Sequence, residues 1–376
     1  MKKTEKAIII TIAVSMLQML AVVFDGSVSA LETWKCADAK RIWEFPNDHG
    51  SHYAYKTEWW YFTGNLSTPG GGRYGYQLTF FRQGIRLGLP APNNPWSVRD
   101  LFFAHFAVTD VQNGRIFSAE RASRAGPGLA GANVDNLQVW LLKWSAVMSG
   151  ATIMLYARDK DLEIALELTP RKPVVLHGDE GFSRKGSDQC QASHYYSFTD
   201  LSTRGRIQTP ANIRGETVIG TSWFDHEFGS SQLGADQEGW DWFSLHISDG
   251  SDLMFYLLRR HDGTFVPESS GTFVLPDGSV RHLGLADLSV TVLDTWKSVR
   301  SGAVYPSRWK LSVESLGIEF DVLPLVADQE LATRQSTDIT YWEGLVEGSG
   351  TSQGKAVTVE GYVELTGYAG SLAEVF

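Results

Sequence analysis

Hydrophobic and polar residues alternate with a period of two along most of the chain. Clear examples are LFFAHFAVTD at 101–110, ATIMLYA at 151–157 and LEIALELT at 162–169. Side chains of a strand point alternately to the two faces of a sheet, so this pattern predicts half-buried strands. Long amphipathic segments with a period near 3.6 are missing, and only 99–102 and 327–334 suggest short helices.

Turn residues separate many neighbouring hydrophobic runs. They read RDKD at 158–161, SDGS at 248–251 and PDG at 276–278. Short runs joined by Gly- and Asp-containing turns are typical of antiparallel hairpins. The pattern therefore predicts an all-β sandwich or barrel.

One motif recurs roughly 180 residues along the chain. EWWYF at 58–62 precedes YGYQLTFFR at 74–82, and GWDWF at 239–243 precedes DLMFYLLRR at 252–260. This repetition predicts two β domains related by internal duplication, at 31–210 and 211–376. A last hairpin, with its turn at 352–355, could close either domain.

The N-terminus carries an export pattern. Three lysines within the first six residues precede an apolar run at 7–24, and small residues end in VSA at 28–30. This order predicts a signal peptide at 1–30, cleaved after Ala30. The apolar run is also long enough for an uncleaved anchor, which would be the protein's route to the membrane. Either alternative predicts a periplasmic or secreted protein.

Charge and composition narrow the possible partners. The chain of 376 residues has 33 Lys+Arg against 43 Asp+Glu, and no basic run is longer than the pair at 259–260. Nucleic-acid binding is therefore excluded, since phosphates need a basic surface. The 13 Trp, 13 Tyr and 19 Phe suit wide β cores or apolar pockets. A hydrophobic small molecule is the expected partner.

Cys36 and Cys190 are the only cysteines. In an exported protein they can form one disulfide between the N-terminal arm and the middle of the chain, and two unpaired thiols are the alternative. The chain has no CxxC motif and no Cys/His pattern of zinc-ligand spacing, so the sequence predicts no zinc site.

The segment TSWFDHEFG at 221–229 places three ionisable residues together. In a strand, Asp225 and Glu227 share one face and His226 takes the other. Aromatic neighbours raise a carboxyl pKa by desolvation, so an acid here could protonate an alkene or enol. The structural alternative is a buried polar network. Consecutive strand residues alternate faces and do not chelate one ion, so no metal is expected.

Other acids and a histidine lie among aromatic residues. His105 lies within a hydrophobic strand, and Glu58 precedes Trp59 and Tyr61. The tryptophans suit the core or the wall of a pocket. His105 alone is more typical of an interior histidine than of a catalytic one.

Asp241 lies between Trp240 and Trp242, so it is a second acid in an aromatic setting. The letters of G-x-S-x-G occur as GTSQG at 350–354, but they lie at the turn of the last predicted hairpin and not between a strand and a helix, so they form no nucleophile elbow. The chain has no H-E-x-x-H motif and no glycine-rich phosphate loop before a helix.

Five segments together resemble the AttH-like family of lipocalin-like proteins. They are EWWYFTGNL at 58–66, FAHFAVTD at 103–110, GTSWFDHEFG at 220–229, GWDWFSLHISDG at 239–250 and YWEGLVEGSG…GYVELTGY at 341–368. The family includes carotenoid 1,2-hydratase relatives and proteins described as secreted hydrolases. The resemblance covers nearly all of the chain after residue 30.

The resemblance implies two lipocalin-like antiparallel β-barrels with an apolar pocket in or between them. It also implies alkene hydration or a related reaction on a hydrophobic substrate, without cofactor or metal. The acid would be Asp225 or, second, Asp241, with His105 or His226 as the water or proton partner. The aromatic faces would come from Trp59, Tyr61, Trp223 and Trp242.

Three functions remain open from the sequence. The first is a hydratase or isomerase acting on an isoprenoid, polyene or lipid-like substrate. The second is a lipocalin-like carrier of such a molecule, which needs the aromatic residues and not the acid. The third is a secreted hydrolase, although no Ser, His and acid set has recognisable spacing.

Overall fold

The computed structural model describes residues 33–88, 97–231 and 233–372. These residues form two antiparallel sheets, which confirms the all-β prediction. Regular helix in this part of the chain is limited to three 3₁₀ turns, at Asn47–His49, Leu285–Asp287 and Glu314–Leu316. No helix among the described residues is long and apolar enough to cross a membrane. The predicted signal peptide lies outside the described residues.

The first sheet has thirteen strands and nearly closes into a barrel. They are β1 (Thr57–Ser67), β2 (Arg73–Gly84), β3 (Asp100–Asp110), β4 (Arg115–Arg124), β5 (Ala130–Ala132), β6 (Gln138–Leu141), β7 (Trp144–Ser149), β8 (Thr152–Asp159), β9 (Leu162–Pro170), β10 (Val175–Leu176), β11 (Phe182–Arg184), β12 (Ala192–Thr209) and β13 (Asn212–Ser231). The order is β4-β3-β2-β1-β13-β12-β9-β8-β7-β6-β5, with β10 and β11 paired to β12.

The second sheet has ten strands and forms a half-barrel. They are β14 (Gln237–Ile247), β15 (Asp252–Arg260), β16 (Ser270–Val274), β17 (Val280–Gly284), β18 (Ser289–Lys297), β19 (Val304–Val313), β20 (Ile318–Pro324), β21 (Glu330–Ala332), β22 (Thr340–Ser352) and β23 (Lys355–Leu365). The order is β17-β16-β15-β14-β23-β22-β20-β19-β18, with β21 paired to β22.

The two sheets share one plan. In each, a four-stranded meander begins with the strand of the repeated aromatic motif, β1 or β14. That strand pairs with the last strand of its sheet, β13 or β23, which in turn pairs with β12 or β22. This common order is what an internal duplication predicts.

The chain changes sheets between Ser231 and Gln237. The expected domain limit at 210/211 falls in the turn between β12 and β13, inside the first sheet. The C-terminal hairpin β22–β23 lies in the second sheet, between β14 and β20. The two-domain division itself stays a prediction.

The two short helices suggested by the sequence are wrong. The chain at 99–102 enters β3, and 327–334 contains β21. Both segments are short and lie beside strands that offer a pairing edge. Backbone hydrogen bonding to a neighbour therefore prevails over weak local helix propensity.

Each sheet encloses its own apolar core. Trp60, Phe62 and Trp144 lie in the first core, and Phe243 and Trp309 lie in the second. These side chains are buried, so both interiors are filled with protein. A third apolar cluster combines residues of both sheets and lies between them.

Cys36 and Cys190 form a disulfide, with their Cα atoms 4.7 Å apart. This confirms the favoured pairing and excludes the two-thiol alternative. The bond fastens the N-terminal arm to the segment before β12. Disulfides persist in oxidising compartments, so it indicates an extracytoplasmic protein.

Candidate active site between the two sheets

A small cavity of about 80 Å³ lies between the two sheets. Both sheets contribute aromatic and ionisable side chains to its wall. The lining residues are Trp59, Tyr61, Thr79, Phe81, Lys185, Tyr195, Asp225, Glu227, Leu233, Trp240, Trp242, Tyr256, Leu258 and Glu364. The cavity therefore gathers six of the residues singled out from the sequence: Trp59, Tyr61, Asp225, Glu227, Trp240 and Trp242.

Strand alternation explains this selection. On β1, Trp60 faces the core of the first sheet while Trp59 and Tyr61 face the cavity. On β13, which pairs with β1, Asp225 lies directly opposite Tyr61 and Glu227 directly opposite Trp59. Paired residues share a face, so the two acids reach the cavity with the two aromatic rings.

Asp225 is buried and receives hydrogen bonds on both carboxyl oxygens. Trp223 Nε1 donates to Oδ1 at 2.6 Å, and the Ser197 hydroxyl donates to the same oxygen. The Tyr195 hydroxyl donates to Oδ2 at 2.7 Å and accepts from Trp242 Nε1 at 3.1 Å. Burial raises the pKa of Asp225 to about 7, although these three donors act to lower it. This carboxyl therefore exchanges its proton near neutral pH.

Glu227 forms a buried ion pair. Lys185 Nζ lies 3.0 Å from Glu227 Oε1, and the Ser193 hydroxyl donates to the same oxygen. The ammonium group also lies over the Tyr256 ring, 3.9 Å from its centre. Burial acts to lower the pKa of Lys185, but the Glu227 charge raises it above its ordinary value. The pair thus adds no net charge to the cavity wall.

Glu364 is a second acid of the cavity, contributed by β23. Trp240 Nε1 donates to its Oε2 at 2.7 Å. Burial, together with the charges of Asp225 and Glu227, raises the pKa of Glu364 to about 7, against the Trp240 hydrogen bond. Each sheet therefore supplies one carboxyl that titrates near neutrality.

Glu343 lies directly opposite Glu364, on β22. Its side chain is buried, and the hydroxyl groups of Tyr61 and Tyr341 interact with its carboxyl group and act to lower its pKa. Burial and the Glu364 charge raise the pKa of Glu343 well above its ordinary value. Glu343 is therefore an uncharged acid behind the cavity wall.

Aromatic rings form the apolar part of the wall. The Tyr61 and Trp242 rings, one from each sheet, meet edge to face with centres 5.1 Å apart. Trp223, which the sequence also predicted for the site, is not among the lining residues; it packs on Trp242 with ring centres 6.3 Å apart. Such faces bind apolar groups and attract cations.

Glu58 and His226 lie on the opposite face, away from the cavity. Glu58 accepts hydrogen bonds from Arg82 Nε and His226 Nε2, each at 3.0 Å, and from His52 Nδ1 at 2.8 Å. Burial acts to raise the pKa of Glu58, but the Arg82 charge and the histidine contacts hold it well below its ordinary value. Burial lowers the pKa of His226 to about 4. These residues form a buried polar network within the first sheet.

His52, Glu58 and His226 have donor atoms within 4.8 Å of one another and could by ligand type hold a metal ion. Both histidines are hydrogen bonded to Glu58, and Glu58 already pairs with the Arg82 guanidinium. An ion would have to displace that cation from the carboxylate. We therefore assign the cluster to the stability of the fold.

His105 and Asp241 lie outside the cavity lining. His105 bonds to the Tyr341 hydroxyl at 2.9 Å, and burial lowers its pKa to about 3. Asp241 pairs with Arg259 at 2.9 Å and accepts from the Tyr368 hydroxyl at 3.0 Å. It lies between Trp240 and Trp242 on β14, so alternation turns it to the other face.

A larger and more open groove of about 850 Å³ also runs along the described surface. Its wall is polar, and its arginines are already paired. Arg73 bonds to Glu347 at 2.9 Å, and Arg308 bonds to Asp321 at 2.8 Å. It lacks the aromatic walls of the smaller cavity, which is therefore the better candidate site.

Residues 36–368 match the model of the family described as AttH-like. The chain belongs to the AttH-like family. This confirms the resemblance drawn from the five segments. A comparison with curated proteins gave no match.

Solved structures show the same fold. A candidate AttH protein from Nitrosomonas europaea is 34% identical over 89% of this chain and 99% of its own, with a TM-score of 0.79. Kievitone hydratase from Nectria haematococca is 18% identical over 90% of this chain and 96% of its own, with a TM-score of 0.66. The protein CghA, solved with Sch210972, is 13% identical over 84% and 89%, with a TM-score of 0.50.

Sequence reasoning did not single out eight of the fourteen lining residues of this AttH-like chain, and four of those eight are titratable. These four are Lys185, Tyr195, Tyr256 and Glu364. Glu364 had a usable signal, since it lies in the repeated half of the chain on a predicted hairpin. Lys185 had none, because it lies in the irregular segment between β11 and β12.

Proposed function

We propose that this AttH-like protein is an enzyme that hydrates or isomerises a hydrophobic alkene by acid catalysis. The supporting observation is that two carboxyls, Asp225 and Glu364, line one aromatic cavity with their pKa values raised to about 7. Protonation of an alkene needs an acid that holds its proton near neutral pH beside the substrate. The cavity therefore holds a carboxyl that meets both conditions.

The chemistry proceeds through a cation. A cavity carboxyl gives its proton to one alkene carbon, which leaves a carbocation at the other. The faces of Trp59, Tyr61 and Trp242 would stabilise that charge. Attack by water gives the alcohol, and loss of a different proton gives the isomer. The residues themselves supply every group that these steps use.

The size of the cavity limits what enters it. Binding sites that enclose a whole small molecule usually measure about 300–1,000 Å³, whereas this cavity measures about 80 Å³. We propose that it receives only the reacting apolar end of an isoprenoid, polyene or lipid-like substrate. Its paired Lys185 and Glu227 also suit a substrate end without charge.

The fold comparison supports the reaction class. Kievitone hydratase, by its name an enzyme that adds water, has the same fold at 18% identity. That likeness supports hydration as a proposal and leaves the substrate to experiment. The alternative is a carrier of a hydrophobic molecule, which the aromatic cluster between the sheets would serve equally well.

The structure offers little for the third function, a secreted hydrolase. Among the residues that line the cavity in the described part of the chain, there is no serine, cysteine or histidine. An acyl-transfer mechanism built on such a nucleophile and base has no support at this site. We therefore rank it below hydratase and carrier.

The experiment uses mature protein purified from its own host. Lipids that co-purify are extracted, identified by mass spectrometry and incubated with wild type, Asp225→Asn and Asp241→Asn. Asp241→Asn is the matched control, because its carboxyl is also buried but lies on β14, outside the cavity lining, where it pairs with Arg259. We expect a product heavier by one water, or an isomer, from wild type and the control only. Equal, unchanged binding by all three proteins would establish the carrier.

A further inference from the structure

The duplication places Asp225 and Glu364 at equivalent positions. The repeated motifs align Tyr61 on β1 with Trp242 on β14. Asp225 lies directly opposite Tyr61 in the first sheet, and Glu364 lies directly opposite Trp242 in the second. Because the sheets pack through these faces, the two carboxyls line one cavity.

Their hydrogen bonds differ. Three donors reach Asp225, on both of its oxygens. Only Trp240 donates to Glu364, on Oε2, and no hydrogen bond to Oε1 is found among the described residues. Donors stabilise an ionised carboxylate and disfavour the protonated acid. A single proton is therefore better placed on Glu364, where the O–H can reach a substrate in the cavity.

The other ionisable groups near the pair leave its charge uncompensated. Glu227 and Lys185 neutralise each other. Glu343, behind Glu364, is uncharged. Burial raises the pKa values of three tyrosine hydroxyls well above their ordinary value: Tyr61, Tyr195 and Tyr341. The Tyr256 ring contacts the Lys185 ammonium group. One proton on the pair thus leaves one negative charge beside the cavity.

We propose that Asp225 and Glu364 form a catalytic pair that shares one proton across the cavity. Glu364 is the proton donor, and Asp225 is the ionised partner. This assignment rests on the proposed function and names a catalytic residue from the second sheet.

The steps balance in atoms and charge. The alkene π electrons take the Glu364 proton to form a C–H bond, which leaves a carbocation and a Glu364 carboxylate. The Asp225 carboxylate stabilises the cation electrostatically. Water forms the C–O bond, and the oxonium ion releases its proton to Asp225. Transfer of that proton to Glu364 restores the pair.

Infrared spectroscopy of the purified protein tests where the proton lies, without any ligand. The C=O stretch of protonated carboxyls is followed from pH 5 to 9 in wild type, Glu364→Gln and Asp225→Asn. We expect one band that titrates near neutral pH in wild type and is absent in Glu364→Gln. Asp225→Asn should keep the band and move its titration to lower pH, because the Asp225 charge acts to raise the pKa of Glu364. A band that persists in Glu364→Gln and vanishes in Asp225→Asn would place the proton on Asp225 and overturn the assignment.

Two further variants secure the result. Trp240→Phe removes the donor to Glu364 and should move the band's titration to higher pH, whereas no movement contradicts the assignment. Glu343→Gln should leave the titration near neutrality in place. Near-ultraviolet circular dichroism verifies that each variant is folded.

Turnover separates this proposal from the broader one. With the co-purified lipids, Glu364→Gln should lose at least ~100-fold in rate, the scale of general acid catalysis. Full activity of Glu364→Gln would overturn the pair while sparing the proposed function. Absence of conversion by wild type would refute the proposed function, and the infrared titration would then decide the proton's position by itself.

Discussion

Replacing Glu364 with Gln should change how the stability of the protein depends on pH. The pKa of Glu364 is about 7 in the folded protein against an ordinary value of 4.5. The folded state therefore holds this proton more tightly than the unfolded state does. Its stabilising contribution is fully present below about pH 4 and is lost as the pH rises through 7.

The magnitude follows from the shift. A difference of roughly 2.5 pKa units at about 1.4 kcal/mol per unit corresponds to ~3 kcal/mol of unfolding free energy. Gln has no such titration, so the stability of Glu364→Gln relative to wild type should rise by up to ~3 kcal/mol between pH 4 and 8. At pH 4 the two proteins should differ by no more than about 1 kcal/mol, because Gln keeps a carbonyl oxygen that can accept from Trp240.

Urea unfolding followed by tryptophan fluorescence, at several pH values from 4 to 8, measures this difference. Asp249→Asn is the control. Burial acts to raise the pKa of Asp249, but the Ser251 hydrogen bonds hold it below its ordinary value. Asp249 is thus ionised in both states above about pH 5, and its variant should show a constant offset from there to pH 8. Parallel stability curves for wild type and Glu364→Gln would refute the raised pKa of Glu364.

Three further outcomes are expected from urea or thermal unfolding. Removing the disulfide with Cys36→Ala and Cys190→Ala should cost ~2–5 kcal/mol, and an unchanged melting temperature would contradict this. Arg82→Met should lower the free energy of unfolding by ~3–5 kcal/mol, because it leaves the buried Glu58 carboxylate without its cation. An unchanged stability would show that the histidines bonded to Glu58 are enough to stabilise its charge. Trp60→Ala should lower the free energy of unfolding by ~3–5 kcal/mol, because Trp60 is buried in the first core. Trp59 is half-buried and faces the cavity, so Trp59→Ala should lower it less and weaken ligand retention instead. Equal losses of stability in the two variants would contradict the assigned faces.

The local pattern was sufficient for the strands and hairpins. The turns at 158–161, 248–251 and 276–278 lie between paired strands, as the alternation predicted. Alternation also separated Asp225 and Glu227 from His226, since it depends only on strand geometry. The helices predicted at 99–102 and 327–334 failed, because strand pairing with distant segments decides those short stretches.

The sequence by itself determined the all-β class, the family and the residues that share each strand face. It did not determine which face meets which partner. Only the packing of the two sheets showed that both interiors are filled and that the cavity lies between them. Asp241 and Glu364 illustrate this, because each is an acid near a tryptophan in the second half of the chain. The Asp241 side chain points away from the cavity and pairs with Arg259. Glu364 lines the same cavity as Asp225, because packing brings together residues that are far apart in sequence. Alternation fixes relative orientation along a strand, and tertiary packing alone decides which side encloses a site.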